Sequence, residues 1–160
     1  MTRSRRHLAV ATAGLAVLFL GALQAEAASP FNGLRGSWTG SGQFRLEDGR
    51  SESIRCNANY VPRGSGLGLA LRCASASNKI ELRADLVASG NRVSGSWEER
   101  SYNASGRVTG IAVGDSLRLS INGGGLSGSM LVRTTGGSQS ISVRTDTSAL
   151  KGVSISLRRR

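Results

Sequence analysis

The sequence is poor in the residues that do most of the chemistry in enzymes. Its 160 residues hold one histidine, His7, which stands within the first ten. Beyond it the chain has no imidazole for a triad, a proton shuttle or a His-ligated metal. Lysine is almost as scarce, with Lys79 and Lys151 alone. Aromatics make up 4% of the chain, too few for the stacking platforms that hold single-stranded nucleic acid. No segment carries apolar residues at helical spacing, which removes the crossover helices that parallel strands need. After Leu23 no apolar run is long enough for a membrane-spanning helix.

What is present begins with an export signal. Arg3, Arg5 and Arg6 precede an uncharged apolar core from Leu8 to Leu23, and Ala25-Glu26-Ala27 forms an A-x-A cleavage pattern. This predicts a signal peptide over residues 1–27, cut before Ala28, and a single domain over 28–160. An uncleaved anchor is the alternative. Arg5-Arg6 leaves the choice between the general and the twin-arginine export routes open. The expected location is periplasmic or secreted.

Glycine is the abundant residue, at 22 positions, and it punctuates a series of short alternating strands. The alternation predicts strands over 36–46, 52–61, 67–74, 79–87, 92–100, 106–113, 116–122, 126–133, 138–145 and 151–158. Gly64-Ser65, Gly90-Asn91, Gly114-Asp115, Gly123-Gly124 and Gly136-Gly137 serve as two-residue turns, with Asp48-Gly49-Arg50 as a three-residue loop. In this register one face carries Trp38, Phe44, Ile54, Leu71, Leu86, Trp97, Leu119, Val132, Ile141 and Leu157, and the other is mostly Ser, Thr and Arg. A slip of one residue would put each apolar row in water. The fold class is therefore all-β, an antiparallel up-and-down meander of about ten strands. Closure into a barrel removes the edges and covers the apolar face. A two-sheet sandwich is the alternative.

The same register sets Cys56 opposite Cys73, so an exported chain should link them as a disulfide. It also sets Trp97 opposite Ala84, Leu86 opposite Gly95, and Arg83 opposite Glu98. Gly40, Gly42, Gly95, Gly110 and Gly128 fall on the apolar face, where they allow sharp coiling or leave space.

Gly36-Ser37-Trp38 at the first strand and the terminal Arg158-Arg159-Arg160 resemble the calycin pattern of lipocalins and avidins. In those families the G-x-W tryptophan plugs the closed end of a barrel, and a cation from the last strand covers it. The resemblance implies barrel-closing roles for Gly36, Trp38 and Arg158, with a cation–π contact between the last two. The chain also resembles a group of small exported alphaproteobacterial proteins, through Arg55-Cys56, Leu71-Arg72-Cys73-Ala74-Ser75 and Val93-Ser94-Gly95-Ser96-Trp97.

Catalytic residues are not expected. Ser148 and Lys151 match S-x-x-K spacing, but that spacing needs a helix to bring the pair together. Glu98 and Glu99 are adjacent and so point to opposite faces of a strand. Asn122-Gly123-Gly124-Gly125 joins strand to strand and has no helix N-terminus to hold an anion. No metal or cofactor is expected. Two partner classes remain. A barrel interior lined by Trp38, Phe44, Tyr60, Trp97 and Met130 would take a small apolar or amphipathic ligand. Alternatively, the surface would meet an acidic envelope component or a cell-wall enzyme. Without Arg3, Arg5, Arg6 and Glu26 the chain keeps 18 basic against 9 acidic residues, a formal charge of +9. A monomer is expected.

Overall fold

The computed structural model describes residues 28–146 and 149–160. The expected signal peptide and Ser148 of the Ser-x-x-Lys match lie outside the described residues. A three-residue 3-10 helix, Asn32–Leu34, precedes ten strands: β1 (Gly36–Leu46), β2 (Ser51–Arg63), β3 (Gly66–Ala74), β4 (Lys79–Ser89), β5 (Arg92–Glu99), β6 (Ala104–Val113), β7 (Ser116–Gly123), β8 (Leu126–Thr135), β9 (Ser138–Thr145) and β10 (Leu150–Arg159). Every neighbouring pair is antiparallel, and β1 pairs with β10 as well as β2, which closes the barrel. Closure leaves no strand edge and rules out two separate sheets.

Inside and outside follow the period of two. Along β2 the burial alternates residue by residue from Ile54 to Tyr60, and β9 alternates in the same way. The large buried side chains, Trp38, Ile54, Tyr60, Trp97, Val108, Leu119, Val132, Ile141, Ile155 and Leu157, form one continuous core. Outward positions carry mostly Ser, Thr and Arg, with Val87, Ile111 and Val113 among the exposed exceptions.

Turn chemistry fixes four hairpins as expected. Arg63 pairs with Gly66 across Gly64-Ser65, and Gly64 sits at φ 58°, the left-handed region where a side chain would be strained. Gly90-Asn91, Gly114-Asp115 and Gly136-Gly137 form the same kind of turn. Two connections differ from expectation. Gly123 pairs with Leu126, so the β7–β8 turn is Gly124-Gly125, one residue later. Between β1 and β2, Arg45 pairs with Ser51 and the Leu46 N–H donates to the Arg50 carbonyl, so the loop is Glu47-Asp48-Gly49. Each shift moves the register by two, which keeps every side chain on its face. The apolar pattern is blind to a slip of that size.

The inward glycines are places of close strand approach. A Cβ on Gly40 would lie 1.9 Å from the Ser156 carbonyl oxygen of β10, and one on Gly42 would lie 2.0 Å from that of Ser154. No L side chain fits there while the β1–β10 seam stays closed. Cys56 and Cys73 face each other across β2 and β3, bonded, with their Cα atoms 4.1 Å apart.

Candidate functional site

One end of the barrel is plugged. Phe31 and Leu34, from the short helix and its N-terminal flank, are fully or nearly fully buried. Trp38 is 1% exposed beneath them, and its Nε1–H donates to the Leu34 carbonyl at 2.8 Å. Tyr60 meets the Trp38 ring edge-on, with centroids 6.4 Å apart. The guanidinium over the ring belongs to Arg159, 4.6 Å from the centroid, and it also donates to the Gly33 carbonyl. This corrects the expectation for Arg158. Ile155 and Leu157 point inward, so Arg159 shares their face, while Arg158 pairs with Thr39 on the outer surface. Gly36 opens β1 at φ 110°, a value that L residues rarely adopt.

The other end is a mouth. Ile80, Leu82, Ala104, Leu126, Leu150 and Val153 point inward at the ends of β4, β6, β8 and β10 remote from Trp38, yet all are only partly buried. Two carboxylates organise the rim. Glu99 is inward and buried, and its two oxygens accept from the backbone N–H groups of Glu81 and Tyr102, each at 2.7 Å. Glu52 accepts from the hydroxyls of Ser75 at 2.7 Å and Ser77 at 2.6 Å, and from the Asn78 side-chain amide at 3.3 Å. These donors, Ser75 foremost, hold the Glu52 carboxyl below the usual carboxylate range. The Tyr102 hydroxyl ties the two rim loops together by donating to Asn78 Oδ1.

Between plug and mouth lies a cavity of about 200 Å³. Its wall is almost wholly apolar and includes Phe44, Tyr60, Leu82, Trp97, Leu119 and Met130. Of the residues expected to line it, Phe44, Tyr60, Trp97 and Met130 do so. Trp38 does not; it is buried in the plug, bonded to the Leu34 carbonyl and edge-on to Tyr60. Tyr60 and Gln139 form a paired interior chain: the Tyr60 hydroxyl donates to Gln139 Oε1 at 2.7 Å, and Gln139 Nε2 donates to Thr134 Oγ1 at 3.1 Å. Burial pushes the Tyr60 phenol well above its ordinary range. Among the described residues no three His, Cys, Asp or Glu side chains gather as metal ligands.

The plug residues Phe31 and Leu34 were not singled out from the sequence. Their only signal is two apolar residues three apart in an otherwise small and polar stretch before the first strand.

No family model matches the chain, and no curated protein matches it in sequence. In fold it is similar to the crystal structure of Rv2717c from M. tuberculosis, with a TM-score of 0.69 and 16% identity over 81% of this chain and 94% of that one. It is also similar to the S-type phycobiliprotein lyase CPES from Guillardia theta, with a TM-score of 0.60 and 12% identity over 81% of this chain and 90% of that one. At these identities the likeness concerns the fold alone, which is consistent with a calycin-like barrel. It lends no support to the resemblance to alphaproteobacterial exported proteins.

Proposed function

We propose that the protein is an exported carrier or sensor that holds a small, largely apolar molecule inside its barrel. The observation that carries this reading is the apolar cavity, closed by Trp38 and Arg159 at one end and reached past partly exposed aliphatic residues at the other. About 200 Å³ exceeds the roughly 150 Å³ in which an apolar cavity takes up benzene, and falls short of the roughly 300 Å³ where drug-sized pockets begin. The ligand is therefore small. Binding is favoured over turnover because the interior Glu99 and Tyr60 are already engaged within the fold. The lyase among the similar folds is the observation on the other side. The disulfide belongs to an oxidising compartment, which agrees with a leader over 1–27.

Native mass spectrometry of protein purified from its own host should show a co-purifying small molecule. Leu82→Trp, at the mouth, should abolish uptake and leave the β spectrum unchanged. Uptake that persists in this variant would overturn the reading.

A second reading rests on the outer surface. Every outward acidic residue within a strand lies on β4 or β5: Glu81, Asp85 and Glu98. The remaining wall presents Arg107, Arg118, Arg133, Arg144, Arg158, Arg45 and Arg55 without a carboxylate among its outward strand positions. That wall would meet an acidic envelope polymer. Apolar residues inside and arginine outside are the reverse of a lipid-facing barrel. Retention on immobilised polyanion should vanish in high salt, and in Arg118, Arg133 and Arg144→Glu at low salt. Salt-insensitive retention would exclude this mode.

A further inference from the structure

The cavity offers an occupant no hydrogen bond. Tyr60, Trp97 and Glu99 are the lining residues with a side-chain nitrogen or oxygen, yet the wall presents almost no polar surface. The Tyr60 hydroxyl is spent on Gln139, and the two Glu99 oxygens on the backbone N–H groups of Glu81 and Tyr102. These residues therefore contribute ring and methylene carbons to the wall. Trp97 Nε1 has no partner, but it has essentially no accessible surface either, so an atom in the cavity does not reach it. The backbone groups of the wall are held in the closed ladder of strands. No Lys or Arg lines the cavity, so a charge placed there would stay unpaired. Water is served no better, because a buried water needs two to four polar partners and apolar cavities stay dry.

The mouth continues the pattern. The inward residues there, Ile80, Leu82, Leu126, Leu150 and Val153, are all aliphatic. Polar side chains of the rim are engaged with one another: Glu52 with Ser75, Ser77 and Asn78, Tyr102 with Asn78, and Lys151 with Glu47 at 3.3 Å. An oxygen on the ligand would give up its bonds to water on entering and receive nothing in exchange.

We infer that the barrel's ligand is a compact hydrocarbon, with no charge and no hydrogen-bonding group, and that the barrel selects against oxygenated analogues of the same shape. This rests on the reading of the barrel as a binder and narrows it to a ligand class. A cavity of about 200 Å³, against about 150 Å³ for one that takes benzene, sets the size at one ring with short substituents.

Toluene and phenol test it, since they differ only in a methyl against a hydroxyl on the same ring. Their dissociation constants are measured on the purified wild-type protein, where folding is not in question. The Met130 methyl resonance, on the cavity wall, should shift with toluene and so place it inside. The reference is the partition of the same pair from water into octanol, which can hydrogen-bond the hydroxyl, and into cyclohexane, which cannot. The protein's preference for toluene should exceed the octanol preference by at least about tenfold, in the direction of cyclohexane. A preference short of that would mean that the barrel answers the hydroxyl, and the hydrocarbon inference fails while the binding barrel stands. If neither compound binds, or toluene binds without moving the Met130 resonance, both fall.

Discussion

Removing the Arg159 guanidinium would bare the Trp38 ring and release the Gly33 carbonyl at the same time. Arg159→Ala should therefore lower stability by about 0.5–2 kcal/mol in urea titration. Arg158→Ala, next in the chain but on the outer surface, should stay within about 0.5 kcal/mol of wild type. Equal losses would mean that the ring contact contributes nothing. Tyr60 supplies a pH dependence. Its phenol is raised by burial and opposed only in part by the bond to Gln139. A raised value means that the neutral form is kept in the fold, while unfolded tyrosine ionises near pH 10. The stabilisation from this residue is complete below about pH 10 and is lost as pH climbs above it. Tyr60→Phe should flatten the fall in stability between about pH 9.5 and 11. A wild-type profile as flat as the variant's would refute the account. Single residues also mark what the sequence reveals at this scale. Alternation assigns Trp97, Phe44 and Met130 to the interior, and the same alternation, counted from Leu157, assigns Arg159 rather than Arg158 to the lid. That Trp97 lacks a partner depends on where every neighbouring side chain lies, which no local pattern encodes.

At the level of the strand, the disulfide and the close glycines make separate predictions. Cys56 and Cys73 already sit opposite each other in a continuous ladder, so their bond limits the unfolded chain more than it shapes the barrel. Replacing both by Ala should cost about 2–4 kcal/mol and leave the β spectrum intact, as read by circular dichroism with urea titration. Gly40→Ala would drive a methyl into the Ser156 carbonyl and part β1 from β10, with an expected loss of about 1–3 kcal/mol or a failure to fold. Gly68→Ala has no atom closer than 3.8 Å and should be tolerated. If the two glycine variants behave alike, the seam is looser than the close approach implies. Hairpins with two-residue turns were legible because Gly-Ser, Gly-Asn and Gly-Asp leave one choice of register. The Asn122–Gly125 run and the Glu47–Arg50 loop each offered several positions for the bend, and the side-chain period cannot distinguish offsets of two.

For the molecule as a whole, closure was readable because ten alternating strands leave an apolar face that only a barrel or sandwich can hide. The size of the interior was not, since it is a small difference between ten strands' worth of side-chain volume and the space they enclose. The closing pair has a further consequence under load. β1 and β10 are antiparallel neighbours, and the start of one lies beside the end of the other, Trp38 opposite Arg159. A pull applied to the two ends of the barrel domain would act on the last rung of that ladder alone, then on the next, as on a zipper. Rungs loaded one at a time yield at low force, whereas a pull along the strands would load them together. Stretched from its ends, the barrel should open at the β1–β10 seam as a mechanically weak element, however high its thermal stability.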